Sequence, residues 1–135
     1  MAAAFLDTNI LLRHLLGDHP EQSPRATRLL MHVEQGEIRL HMSLLAVSEA
    51  VFTLERSYRQ PKKAVADALL PLLEMPGIIL PGKRVLRRAF ELYTSLNLPF
   101  ADAYHAALME QMHPSEIISF DRDFDRIPGI RRTEP

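Results

Sequence analysis

Short apolar runs alternate with longer helical patterns along the whole chain, and each run stops at a polar, acidic or turn residue. Residues 2–6 stop at Asp7, 38–42 at Ser43, 77–80 at Pro81-Gly82 and 116–120 at Asp121. Runs of this length bounded by such residues read as strands. Strands separated by helices are joined by crossovers, which gives a mainly parallel central sheet flanked by helices. The fold class is therefore α/β, and the carboxyl ends of its strands should gather at one sheet edge, where ligands bind.

The helices carry their own punctuation. Thr8 can cap a helix over residues 9–16 that Gly17, Asp18 and Pro20 end, and Ser23 with Pro24 opens a second to Gln35, followed by Gly36. Ser43 opens a third, with Leu44, Val47, Val51 and Leu54 as one apolar stripe and Leu45 and Phe52 on a second face. A fourth runs from Pro61 through Leu73 or Glu74, and Pro71 should kink or split it. After Gly82, a fifth turns Val85, Leu86, Ala89, Phe90, Tyr93 and Leu96 inward and Lys83, Arg84, Arg87 and Arg88 outward. A sixth covers residues 100–112 until His113-Pro114 stops it, and a short helical turn is expected at 123–127.

With 135 residues and 47% hydrophobic content, the chain suits one domain spanning residues 1–135 with a sizeable core. It has no cysteine, which excludes disulfides, thiolate metal sites and thiol nucleophiles and suits a reducing cytoplasm. Asp7 and Arg13 break the N-terminal apolar runs well short of the ~18 residues a membrane span needs, so a soluble protein with no membrane partner is expected. Sixteen basic against 17 acidic side chains leave a net charge of −1, and the overall balance announces no nucleic-acid partner. If several acids converge on a cation, however, the remaining surface is more basic than the sum suggests.

The acids that matter stand at element boundaries. Asp7 follows the first run, with a helix cap as its other role. Glu49 has Leu45 and Thr53 one helical turn away and Phe52 nearby, a setting that half-encloses its charge and calls for a partner. Asp102 falls in a first helical turn, where the macrodipole alone would favour it. Asp121 and Asp123 follow the last strong run, with Asp125 a weaker choice. An all-oxygen set of this kind is a site for Mg²⁺ or Mn²⁺. The six histidines lack ligand spacing, and the five glycines form no phosphate-binding loop.

Four segments together resemble the motifs of PIN-domain ribonucleases: FLDTNILLRHL, SLLAVSEAVFTLERSY, LPFADAYHAALM and IISFDRDFDRIPGI. The resemblance runs from about Phe5 to Ile130, and the wording of the motifs is most similar to VapC-type toxins of type II toxin–antitoxin pairs. It implies a single PIN-like domain and a Mg²⁺- or Mn²⁺-dependent endoribonuclease. Asp7, Glu49 and Asp102 match the family's best-fixed acids, Thr8 and Asn9 match polar neighbours of the first, and Ser119 matches a position often held by Ser or Thr. DRDFD offers Asp121 and Asp123 for the fourth acid, of which Asp121 is preferred. An antitoxin partner and a homodimer are also implied.

Two other readings compete. A phosphatase of the haloacid dehalogenase type also places an aspartate after its first strand, but wants a second two residues later, where this chain has Asn9. A non-catalytic PIN-like module for RNA binding or dimerisation would not need the intact acids.

Overall fold

The computed structural model describes residues 3–135, so Ala2 of the first expected strand lies outside the described residues. The chain divides into two compact units, Met1–Pro81 and Gly82–Pro135. Every strand pairing in either unit is parallel, as the alternation of strands and helices requires.

The first unit contains β1 (Ala4–Phe5), α1 (Thr8–Leu16), α2 (Gln22–Glu34), β2 (Leu40–His41), α3 (Leu44–Arg56), α4 (Lys62–Leu73) and β3 (Ile78–Ile79). Its sheet has the order β1-β2-β3, with Ala4 opposite Leu40 and Leu40 opposite Ile78. Leu11, Val47, Val51, Leu54, Val65 and Leu69 form its core, each 1% exposed or less. Three of these belong to the stripe expected on α3, while Leu45 and Phe52, on its second face, stay exposed. Gly77 enters β3 with no room for a side chain, since a Cβ there would lie 2.7 Å from Val33 Cγ1.

Three helix expectations of the first unit are corrected, and its strands are shorter than the apolar runs that announce them. Thr8 does not cap α1 but is its first, buried residue, and its hydroxyl donates to the Ala46 carbonyl of α3 at 3.3 Å; Asp7 holds the cap position. Ser23 likewise lies inside α2, buried, with its hydroxyl accepting from the His19 amide at 3.1 Å. The serine folds back on the preceding turn, and the helix begins ahead of it. Pro71 does not split α4, because it falls in the last turn, where a missing donor interrupts little further ladder.

Ser43 does cap α3, its Oγ accepting from the Ala46 amide at 3.1 Å. Ser43→Ala should therefore lower stability by about 1 kcal/mol, measured by urea unfolding. A change within error would mean that solvent satisfies that amide equally well.

The second unit contains α5 (Lys83–Ser95), α6 (Phe100–Met112), β4 (Glu116–Ile118), a 3₁₀ turn (Arg122–Arg126) and β5 (Arg131–Thr133). α5 and α6 pack on each other, with Phe90, Tyr93 and Phe100 in a ring cluster whose centroids are 5.1 to 6.0 Å apart. The inward face of α5 is as expected except that Leu96 is only half-buried, at the point where the helix ends. β5 was not expected, and it pairs with β4 in the register Ile117 opposite Arg132.

Candidate metal site

The second unit brings three of the predicted acids together. One carboxylate oxygen from each of Asp102, Asp121 and Asp123 lies within 4.8 Å of the others, the only group of three or more potential ligands among the described residues. Asp102 comes from the first turn of α6, Asp121 caps the 3₁₀ turn and Asp123 lies within that turn. Both Asp121 and Asp123, the two candidates for the fourth acid, lie beside Asp102.

Hydrogen bonds fix this geometry. The Asp121 amide donates to Ser119 Oγ at 2.9 Å, and Asp121 Oδ1 accepts from the Asp123 amide at 2.9 Å. Ser119 therefore shapes the turn that carries both acids. Arg126 spans from this turn to the end of α5, donating to the Leu96 carbonyl at 2.6 Å and to Asp123 Oδ1 at 3.4 Å. Asp125 is engaged elsewhere, in a two-pronged pair with Arg132 at 3.0 and 3.3 Å.

The electrostatics of the cluster are one-sided. Asp102 Oδ2 is shut off from solvent and has no hydrogen-bond donor. Desolvation, then a hydrogen bond shared with Asp121, then the charges of Asp121 and Asp123, push the Asp102 carboxyl up to about 6. Asp121 is held below the usual carboxylate range, first by the Asp123 amide and next by the bond to Asp102. Below about pH 6 the pair therefore keeps one proton between two carboxyls. Opposed carboxylates and a donorless buried oxygen are what a hard cation would satisfy, so these residues fit such a group.

Asp7 and Glu49 belong to the first unit, and both are exposed. Asp7 occupies the cap of α1 in an extended conformation, yet its side chain makes no capping bond. Glu49 is not half-enclosed as expected: Leu45 and Phe52 beside it are themselves 70% and 60% exposed and leave its carboxylate open. Asn9 is also exposed. His105 is exposed with its ring 6.5 Å from that of Tyr104, outside the acid cluster.

A family model described as PIN domain matches residues 4–130. VapC ribonuclease Mb1869c of Mycobacterium bovis and ribonuclease VapC13 of Mycobacterium tuberculosis are each 30% identical to this chain over 135 residues, covering 94% of it and 96% of the relative. The chain belongs to the PIN domain family, as a VapC-type member.

Proposed function

We propose that this protein is a metal-dependent endoribonuclease, the toxin of a type II toxin–antitoxin pair, with Asp7, Glu49, Asp102 and Asp121 as its metal ligands and Asp123 as a further catalytic carboxylate. The observation that carries this reading is the Asp102, Asp121 and Asp123 cluster, with its donorless buried oxygen, in a chain of the PIN family. Both mycobacterial relatives are named as ribonucleases. The roles of Asp7 and Glu49, and of Thr8 and Asn9 beside Asp7, rest on their match to the family motifs. The lack of any capping bond from Asp7 supports it as a carboxylate available for other work.

When bound, Mg²⁺ or Mn²⁺ supplies charge neutralisation for a phosphodiester and lowers the cost of generating a nucleophile from water. The chain's own residues prepare for this unequally. Asp121 is kept ionised by the Asp123 amide, whereas Asp102 holds a proton more tightly and must release it to act as a ligand. Ser119 and Arg126 hold the turn in place.

RNA is the proposed substrate and an antitoxin the proposed protein partner, with a homodimer as the assembly. Exposed apolar side chains at Leu45 and Phe52 on α3 and Met31 on α2 support a protein partner. Among the described residues no helix is long and apolar enough to cross a membrane, and a cytoplasmic location is proposed with the rest.

The test is a panel of structured and single-stranded RNAs incubated with Mg²⁺ or Mn²⁺, with and without EDTA. Cleavage should occur with metal and stop in EDTA. Cleavage that survives EDTA would overturn the metal-dependent reading, and RNA binding without cleavage would favour the non-catalytic module. Phosphate release from p-nitrophenyl phosphate with no RNA cleavage would favour the phosphatase.

A further inference from the structure

Asp121 and Asp123 stand on a turn whose two ends are held by one side chain. Arg132, on β5, donates from Nη1 to the Ser119 carbonyl at 3.0 Å, and from Nε and Nη2 to the two Asp125 carboxylate oxygens at 3.0 and 3.3 Å. Nη1 also reaches Glu134 at 2.7 Å. Ser119 precedes Asp121 and Asp125 follows Asp123, so the guanidinium closes the loop that carries both acids. Its side chain is only 11% exposed, unlike that of Arg131 next to it, which is 76% exposed and pairs with Glu116.

We propose that Arg132 is a positioning residue for the metal site: its planar fork fixes the Ser119-to-Asp125 loop so that Asp121 and Asp123 face Asp102 before any cation arrives. A fork is needed because the acceptors lie in different directions, a carbonyl on one side and a carboxylate on the other. The three clustered carboxylates repel one another, and a loop free to relax would separate them. Residues that orient ligands from outside in this way typically contribute 10- to 100-fold to metal affinity.

Positioning and plain charge have opposite signs here. Arg132 lowers the negative potential felt at Asp121, so a role through charge alone would make its removal strengthen cation binding. A positioning role makes its removal weaken binding. This inference rests on the reading of the acid cluster as a divalent-cation site, and the experiment separates the two.

Mn²⁺ binding to the folded, full-length protein is measured by calorimetry and by the electron paramagnetic resonance signal of free Mn²⁺, for wild type, Arg132→Ala, Arg132→Lys and Arg131→Gln. Folding is checked by circular dichroism at the same temperature. The expected result is a Kd raised by roughly 10-fold or more in Arg132→Ala. Arg132→Lys should be weakened similarly, because a single ammonium keeps the charge but cannot span both acceptors. Arg131→Gln, which loses one exposed ion pair, should bind like wild type. If Arg132→Ala does not fold, Arg132→Lys decides the matter, with unchanged affinity counting against the proposal. Equal or tighter binding in Arg132→Ala overturns it while leaving the metal site intact. No binding to wild type overturns the metal reading itself.

Discussion

Asp102→Asn should move activity and metal-free stability in opposite directions. Cleavage of RNA in Mn²⁺ should fall on the order of 10³-fold or more in kcat/KM if Asp102 is the proposed ligand, since a carboxylate compensating the cation's charge is then replaced by a neutral amide. In EDTA, however, the variant should unfold at a higher temperature than wild type. The substitution removes a carboxylate with one oxygen buried and donorless, and relieves its repulsion with Asp121 and Asp123. Stopped-time cleavage assays and thermal scans in EDTA measure the two effects. Undiminished cleavage would remove Asp102 from the mechanism, and a lower melting temperature in EDTA would show that its carboxylate supports the fold.

The second large effect is on pH. The Asp102 carboxyl is raised from 3.8 to about 6, so the folded protein holds its proton more tightly than the unfolded chain does. In the metal-free protein this group therefore costs stability fully above about pH 6, and the cost is relieved as pH falls through that value towards 3.8. Metal binding needs the ionised form and must follow the opposite course: below about pH 6, affinity for Mn²⁺ should drop about tenfold per pH unit, with one proton displaced per cation. Calorimetry in two buffers of different ionisation heat counts that proton. A pH-independent affinity between about pH 5 and 7, or equal proton release from Asp102→Asn, would rule out Asp102 as the titrating ligand.

The sequence was most informative where one physical rule dominated. Helix α6 was legible at both ends, because Pro99 is tolerated only at a helix start and His113-Pro114 cannot continue one; the structure places Pro99 and His113 at the two caps, His113 with φ of 75°. Asp102, Asp121 and Asp123 were legible as candidates because they follow a strand or open a helix. That such acids could meet was expected from strand ends gathering at one sheet edge; the local geometry was not legible, since it depends on the Ser119 and Asp121 side chains folding back onto local amides. The strand β5 was missed for a related reason. Arg131 and Arg132 look like a charged tail to any hydrophobic pattern, yet each finds a carboxylate, Glu116 for the first and Asp125 for the second. Cap signals misled where a serine had a competing partner, as at Ser23, and succeeded where it had none, as at Ser43.

The cap of α1 bears on how this chain can change over generations. Asp7 sits in a position where aspartate ordinarily contributes to folding, but its carboxylate makes no capping bond and is exposed. Losing it costs the helix no capping hydrogen bond, only an exposed charge's interaction with the helix dipole. Purging of misfolded protein, the filter that disciplines most positions in a small domain, therefore acts only weakly on this one. Drift there would yield full-length, well-folded copies, and only the usefulness of the carboxylate itself can keep an aspartate in that seat.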